Sequence, residues 1–384
     1  MEREFALSHG QLSFIISAAI IVEAVTGPFM GHAVDRYGAQ KVMAACVTTG
    51  GAGFILLSTA QSPIAFACYL AIPVAIGCYA GFALCPTNAV AYWFVRKRGL
   101  ALAIAASGFA LGGVVVRLDQ FLIDQYGWRT AAVVLGCILF GAGYPLAMLF
   151  RGRPERYGYL PDGEARRSGT PGEERQFQRE VEGFTVRDAV RTQAFWRITL
   201  TFALRDFAVA ALGFHFIPMM VTKGITEQTA AGLLTIFGLM AVTGRLIVGY
   251  LGDHYSKNLL VGISGGFLIA ALVMFAVWSE LWQMRVAAAL YGFAWGGSGG
   301  GMIQAIRAEY FGRRHLGKIT GAMQLAVAGL TLMGTIFAGQ VHDATGTYTI
   351  ALYTFVGAVV LATFAIIGAQ RPALPPEAVT TKSL

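Results

Sequence analysis

Long apolar runs alternate with short polar turns along almost the whole chain. The runs cover roughly residues 12–34, 42–60, 64–94, 99–123, 130–150, 195–221, 229–251, 259–278, 284–306, 316–341 and 349–369, bounded by Gly, Pro and charged residues. About 20 apolar residues in a helix cross a hydrocarbon core of about 30 Å. The pattern therefore predicts an all-α membrane protein with eleven transmembrane helices. The sharpest interruption is Gly31-His-Ala-Val-Asp35-Arg36-Tyr-Gly38-Ala-Gln-Lys41, between two such runs. It reads as a membrane-surface turn: Gly31 and Gly38 permit tight backbone paths, Asp35 can cap or pair, and Arg36 and Lys41 favour the cytoplasmic side.

The pattern repeats. Gly31-x-x-x-Asp35 recurs as Gly249-x-x-x-Asp253, Trp93-Phe94 before Arg96, Lys97 and Arg98 recurs as Tyr310-Phe311 before Arg313 and Arg314, and Asp124-Gln-Tyr-Gly127 recurs as Asp343-Ala-Thr-Gly346. The offset is about 218 residues each time, so two parallel halves are predicted. Shifting the 195–221 run back by that offset places its counterpart ahead of Met1, so the first helix of the first half is expected to be missing. A misassigned start codon is the favoured explanation and a true eleven-span protein the other. The expected division is a bundle over 1–150 (helices 2–6), a linker over 151–194, a second bundle over 195–371 (helices 7–12) and a tail over 372–384. In the linker, Thr185-Val-Arg-Asp188 has the spacing of a helix N-cap.

Composition sharpens this. Hydrophobic residues make up 56% of the chain and charged residues 13%, more apolar surface than one soluble core of 384 residues would bury. The net charge of +8 raises the question of nucleic acid. With the Asp35 turn placed in the cytoplasm, however, Arg3, Arg129, Lys223 and Arg285 fall outside, Arg117, Arg205 and Arg245 fall within spans, and the other Lys and Arg lie in cytoplasmic loops or at their edges. That bias is the signature of membrane orientation and not of a nucleic-acid face, and it leaves the C-terminus cytoplasmic. Cys46, Cys68, Cys78, Cys85 and Cys137 lack metal or disulfide spacing and read as small buried residues.

The turn at Gly31–Lys41 resembles the loop between helices 2 and 3 of the major facilitator superfamily, with Gln40 where a basic residue is usual. Further stretches resemble the bacterial branch related to monocarboxylate and oxalate-formate porters: Trp93-Phe94-Val-Arg-Lys-Arg98-Gly99, Ser107-Gly108 with Gly112-Gly113, Gly127-Trp128-Arg129, Arg153-Pro154-Glu155 through Gly158 with Pro161-Asp162-Gly163, Phe195-Trp196, Gly244-Arg245 with Gly249 and Asp253, Tyr310-Phe311-Gly312, and Asp343-Ala-Thr-Gly346-Thr-Tyr348. The resemblance implies a major facilitator fold of two six-helix bundles, here with helix 1 absent. It implies a carrier that rocks around a central site and moves small carboxylates by proton symport or anion exchange.

An ionisable group inside a span costs about 2.5–3.5 kcal/mol on insertion scales, so each such residue needs a partner or a watery cavity. Arg245 matches the position where the monocarboxylate group carries a substrate-related arginine, and a guanidinium can hold a carboxylate through two parallel hydrogen bonds. The acidic residue that group carries one turn earlier is replaced by Ala241. Arg205 and Asp206 lie mid-span, about 100° apart around the helix, so they need not pair with each other. One reading gives Arg205 to substrate; the other makes both an interhelical clamp. Glu23 is a candidate proton-binding carboxylate, or a packing hydrogen bond toward Gln324 or Thr320.

Arg117, where the family often has proline, and Asp119 suggest a gate or vestibule, or a salt link. By the family's arrangement Tyr79, Asn88, Tyr291, Trp295, Gln304 and His215 lie on cavity-lining helices; His215 is also a candidate for proton coupling with Asp206 and Glu23. Gly31, Asp35, Arg36, Gly38, Gly249 and Asp253 form the paired conformational loops, expected to lock the cytoplasmic side or simply to cap helices. Glycine pairs four apart, including Gly27/Gly31, Gly108/Gly112 and Gly292/Gly296, should let helices approach closely, and Gly296 to Gly301 should let a helix bend.

No His-Glu-x-x-His, serine elbow or nucleotide-binding loop is present, so the expectation is a gradient-driven transporter, neither enzyme nor ATPase, without cofactor. Its expected partners are an organic-anion substrate and the lipid bilayer, not nucleic acid; a monomer in the plasma or inner membrane is expected. A non-transporting sensor with the same fold and a carrier of a non-carboxylate solute are the competing readings.

Overall fold

The computed structural model describes residues 9–108, 112–159, 161–163 and 183–373. Among them the chain is helical throughout, without strands. α1 runs His9–Tyr37 and α2 Ala39–Ser58, separated only by Gly38, whose φ of 90° makes the reversal that a side chain would resist. α3, Pro63–Trp93, starts on Ser62, whose Oγ accepts from Ala65 N–H at 3.2 Å, and contains two π-helical stretches, Leu70–Val74 around Pro73 and Tyr79–Leu84. α4 is Arg98–Ser107. α5, Gly112–Ile138, turns at Gly127 (φ 79°) and continues through Leu139–Gly143 into α6, Tyr144–Leu149.

In the linker, α7 is the single turn Val186–Val190, capped by Thr185 as its spacing predicts. α8 (Gln193–Thr222) and α9 (Glu227–Gly252) begin at Thr192 and Thr226, whose hydroxyls accept from the backbone three residues on. α10 is Lys257–Val277, α11 Leu281–Gly297, α12 Gly300–Phe311, α13 Leu316–Thr345 and α14 Thr349–Ile367. Eight helices among the described residues are long and apolar enough to cross a membrane. The other three apolar runs appear as α1, as α4 with the first half of α5, and as α11 followed by α12. The glycine cluster at 296–301 does more than bend its helix: the helix ends at Gly297 and restarts at Gly300.

Contacts divide the chain into two units. The first holds Met1–Val95, Gly108–Thr170 and His315–Leu325; the second holds Arg96–Ser107, Pro171–Arg314 and Ala326–Leu384. The core of the first includes Val34, Val42, Val47, Leu84 and Cys85. That of the second includes Phe216, Leu233, Leu268, Phe275 and Phe355. Small residues set the helix spacing in each: a methyl at Gly31 would overlap the Gly317 carbonyl, and one at Gly296 the Ala241 carbonyl. Gly108, by contrast, faces open space and makes no such contact. The expectation of buried cysteines is corrected at Cys68 and Cys137, which are exposed on helix surfaces that an apolar solvent would cover.

Candidate functional site

In the second unit the break between α11 and α12 is filled by an arginine. Arg205, on α8 and 5% exposed, donates from Nε to Ser298 Oγ (2.9 Å) and from Nη2 to the Trp295 carbonyl (2.9 Å). The cation thus sits on the C-terminal end of α11, where unpaired carbonyls carry partial negative charge. Ser298 Oγ donates in turn to the Ala294 carbonyl at 2.7 Å. The remaining Nη1 pairs with Asp206 Oδ1 at 2.7 Å. Adjacent residues were not expected to need one another, yet the long guanidinium reaches around the helix to its neighbour's carboxylate.

Two further guanidiniums complete the cluster. Arg307, on α12 and 3% exposed, stacks over the Phe202 ring of α8 at 4.7 Å, and its charge also acts on Asp206. Arg245, on α9 and 8% exposed, donates from Nη1 to the Ala106 carbonyl at the end of α4 (2.6 Å) and lies over the Trp295 ring at 5.2 Å. Among the described residues its Nε and Nη2 have no acceptor. Trp295 therefore links two arginines, through its carbonyl to Arg205 and its ring to Arg245. Its indole continues a row of rings through Phe237 (5.4 Å) to Tyr291. Tyr291, 4% exposed, donates to the Val209 carbonyl at 3.3 Å, and the charges of Arg205 and Asp206 both act on it.

Sequence reasoning named Arg205, Asp206, Arg245, Tyr291 and Trp295 in this cluster. It missed Ser298 and Arg307: the serine has no distinguishing pattern, and the arginine is near enough to Arg313 and Arg314 to be taken for a loop residue. Gln304, also named, is buried on α12. His215 stands elsewhere, toward the other end of α8, with Nε2 at 3.1 Å from the Thr335 carbonyl and Nδ1 at 3.3 Å from Tyr348 Oη.

In the first unit Asp35 accepts from the N–H groups of Gly317 (3.2 Å) and Lys318 (3.0 Å) at the start of α13, and from Tyr92 Oη (3.0 Å). Burial pushes its carboxyl up from the ordinary value, opposed by those N–H groups, the Tyr92 hydroxyl and the Arg153 charge. Arg36 is exposed and stacks over Tyr37 at 5.4 Å. The duplicate motif does the same in the second unit: Asp253 accepts from Gly99 (2.6 Å) and Leu100 (3.0 Å) at the start of α4, where Gly249 lies against Gly99. Both motif aspartates are thus N-caps in space. Glu23 is half-buried on α1, its charge acting on the Cys78 thiol, without an ion pair to a described residue. Tyr79 opens the second π stretch of α3, Asn88 is fully buried further along it, and Asp119 is half-buried on α5. The Arg117 side chain lies outside the described residues.

A family model of the Major Facilitator Superfamily matches residues 1–335. The chain belongs to that superfamily. Its relatives in the superfamily include the MFS transporter asaE of Aspergillus flavus, 26% identical over 359 residues that cover 89% of this chain and 74% of that one. Monocarboxylate transporter 12 of Mus musculus is 25% identical over 379 residues, covering 90% and 75%, so the resemblance to the monocarboxylate branch extends to named proteins. Among solved structures, the fucose:proton symporter of E. coli superposes with a TM-score of 0.72 at 14% identity, over 96% of this chain and 93% of that one. The human organic anion transporter MFSD10 superposes with a TM-score of 0.71 at 16% identity, over 93% and 83%. These structures share the superfamily's fold. The protein is accordingly a multi-pass membrane transporter that binds small molecules.

Proposed function

We propose that this transporter carries a small organic anion of the monocarboxylate kind, and that Arg245 is the group that holds it. The observation that carries this reading is the difference between two buried arginines. Arg205 has Nε, Nη1 and Nη2 all committed to protein acceptors, which makes it a clamp. Arg245 is as deeply buried but keeps Nε and Nη2 without an acceptor among the described residues. Those two nitrogens form the edge that takes both oxygens of a carboxylate, and a buried guanidinium left without an anion is costly. Around Asp206 and Trp295 three guanidiniums gather with one carboxylate, an excess of positive charge that favours an anionic ligand. Relatives named as monocarboxylate transporters support the same solute class.

Transport proceeds by alternating access of two helical bundles, driven by a proton or by exchange for a second anion. Glu23 and Asp206 are the carboxylates available for proton coupling, while His215, with both ring nitrogens engaged, is structural. Tyr79, Asn88, Tyr291 and Gln304 shape the cavity, and Arg117 with Asp119 attracts anions toward it.

Uptake of a radiolabelled carboxylate panel into vesicles tests this. Saturable uptake of at least one member is expected, lost in Arg245→Gln. Arg245→Lys keeps the charge but not the fork and should raise KM about tenfold, the value of one good hydrogen bond. Uptake by Arg245→Gln equal to the wild type would overturn the assignment.

A further inference from the structure

One helix, α8, grips both halves of the broken helix that follows it. Arg205 holds the end of α11 through Ser298 Oγ and the Trp295 carbonyl. One turn before Asp206 on the same face, Phe202 carries the Arg307 guanidinium of α12 on its ring at 4.7 Å. Asp206 stands between the two cations, paired with Arg205 at 2.7 Å and within the field of Arg307. The peptide joining the halves, Ser298-Gly299, has little else to stiffen it: Gly299 lacks a side chain and its backbone is extended (φ −71°, ψ −175°).

We propose that Asp206, shared between Arg205 and Arg307, is the tie that fixes α12 to α11, so that binding a proton at Asp206 loosens the joint and lets α12 move independently. The chemistry is a single proton transfer: the carboxylate takes up one proton, the Arg205 Nη1 ion pair becomes a weaker neutral contact, and the attraction to Arg307 disappears. Arg205 keeps its bonds to Ser298 and Trp295, so α11 stays in place while α12 is freed. Arg205 and Arg307 are positioning residues here. The other groups facing Asp206 are the Tyr291 hydroxyl from α11 and, through its effect on Arg205, the Arg245 charge from α9. The neighbouring α14 brings no charged residue. The meaning of the joint for transport rests on the carrier reading above, whereas its test needs no solute.

That test is hydrogen–deuterium exchange on the full chain in lipid nanodiscs, at about pH 5 and about pH 8 with intrinsic rates corrected. In the wild type, peptides spanning 298–303 should exchange about tenfold faster, relative to the intrinsic rate, at the lower pH. In Asp206→Asn they should exchange at the fast rate at both pH values, with α10 peptides unchanged. Asp206→Asn that keeps the wild-type pH difference overturns the proposal. If that variant does not yield folded protein, Arg307→Gln decides: faster exchange at 298–303 at the higher pH is expected, and exchange identical to the wild type overturns it. Loss of anion uptake in the panel above with this exchange pattern intact would count against the solute assignment alone.

Discussion

Arg205 and Arg245 are both buried and both one helix turn from an aromatic ring, yet they differ in what their nitrogens have left to offer. A clamp loses stability when truncated; a ligand group loses affinity. Arg205→Gln should therefore lower the thermal midpoint in detergent by several degrees, because it leaves the end of α11 and Asp206 without their donor. Arg245→Gln should leave the midpoint nearly unchanged, since only the Ala106 contact is given up. The cytoplasmic aspartates behave differently again. Asp253→Ala should cost about 1 kcal/mol through loss of the α4 cap, and Asp253→Asn, which keeps an acceptor oxygen, clearly less; thermal unfolding of the pair reads the difference. At this scale the sequence was informative where the energetic cost was large: the price of an intramembrane charge singled out Arg205, Asp206 and Arg245. It was silent about Ser298, whose role depends on a break that no residue of its own type announces, and about Arg307, whose burial follows from the path of α12.

The elements show which glycines are structural. Glycine is frequent in any membrane helix, so spacing alone separates a contact from a coincidence poorly. Gly296 lies against the Ala241 backbone, and Gly266 on α10 meets nothing within 4 Å. Gly296→Ala should destabilise by about 1–3 kcal/mol through backbone displacement, whereas Gly266→Ala should be neutral or gain up to about 1 kcal/mol from reduced helix entropy cost; unfolding in mixed micelles distinguishes them. Gly108 belongs with Gly266, although its pairing with Gly112 suggested otherwise. The helices themselves were legible because length and hydropathy determine them. The two π stretches of α3 were not, because Pro73 and the residues around Tyr79 sit inside a continuous apolar run and change only the hydrogen-bond register.

For the whole molecule, the asymmetry of Lys and Arg sets the orientation, with the Asp35 turn and the C-terminus on the cytoplasmic side. A C-terminal green fluorescent protein should fluoresce in intact cells and a C-terminal alkaline phosphatase should be inactive; the opposite result would invert the topology. The duplication was legible from three loop motifs, and their spatial use was not: each motif aspartate caps a helix that lies far from it in sequence. The two units are consequently interleaved along the gene. The first draws His315–Leu325 from late in the chain, and the second draws Arg96–Ser107 from early in it. A reading frame cut within the linker therefore encodes two fragments of which neither contains a complete unit. Expressed singly, each fragment should be degraded; expressed together, they should rescue one another, and fragments whose boundaries trade those two short segments cannot be made from any single cut.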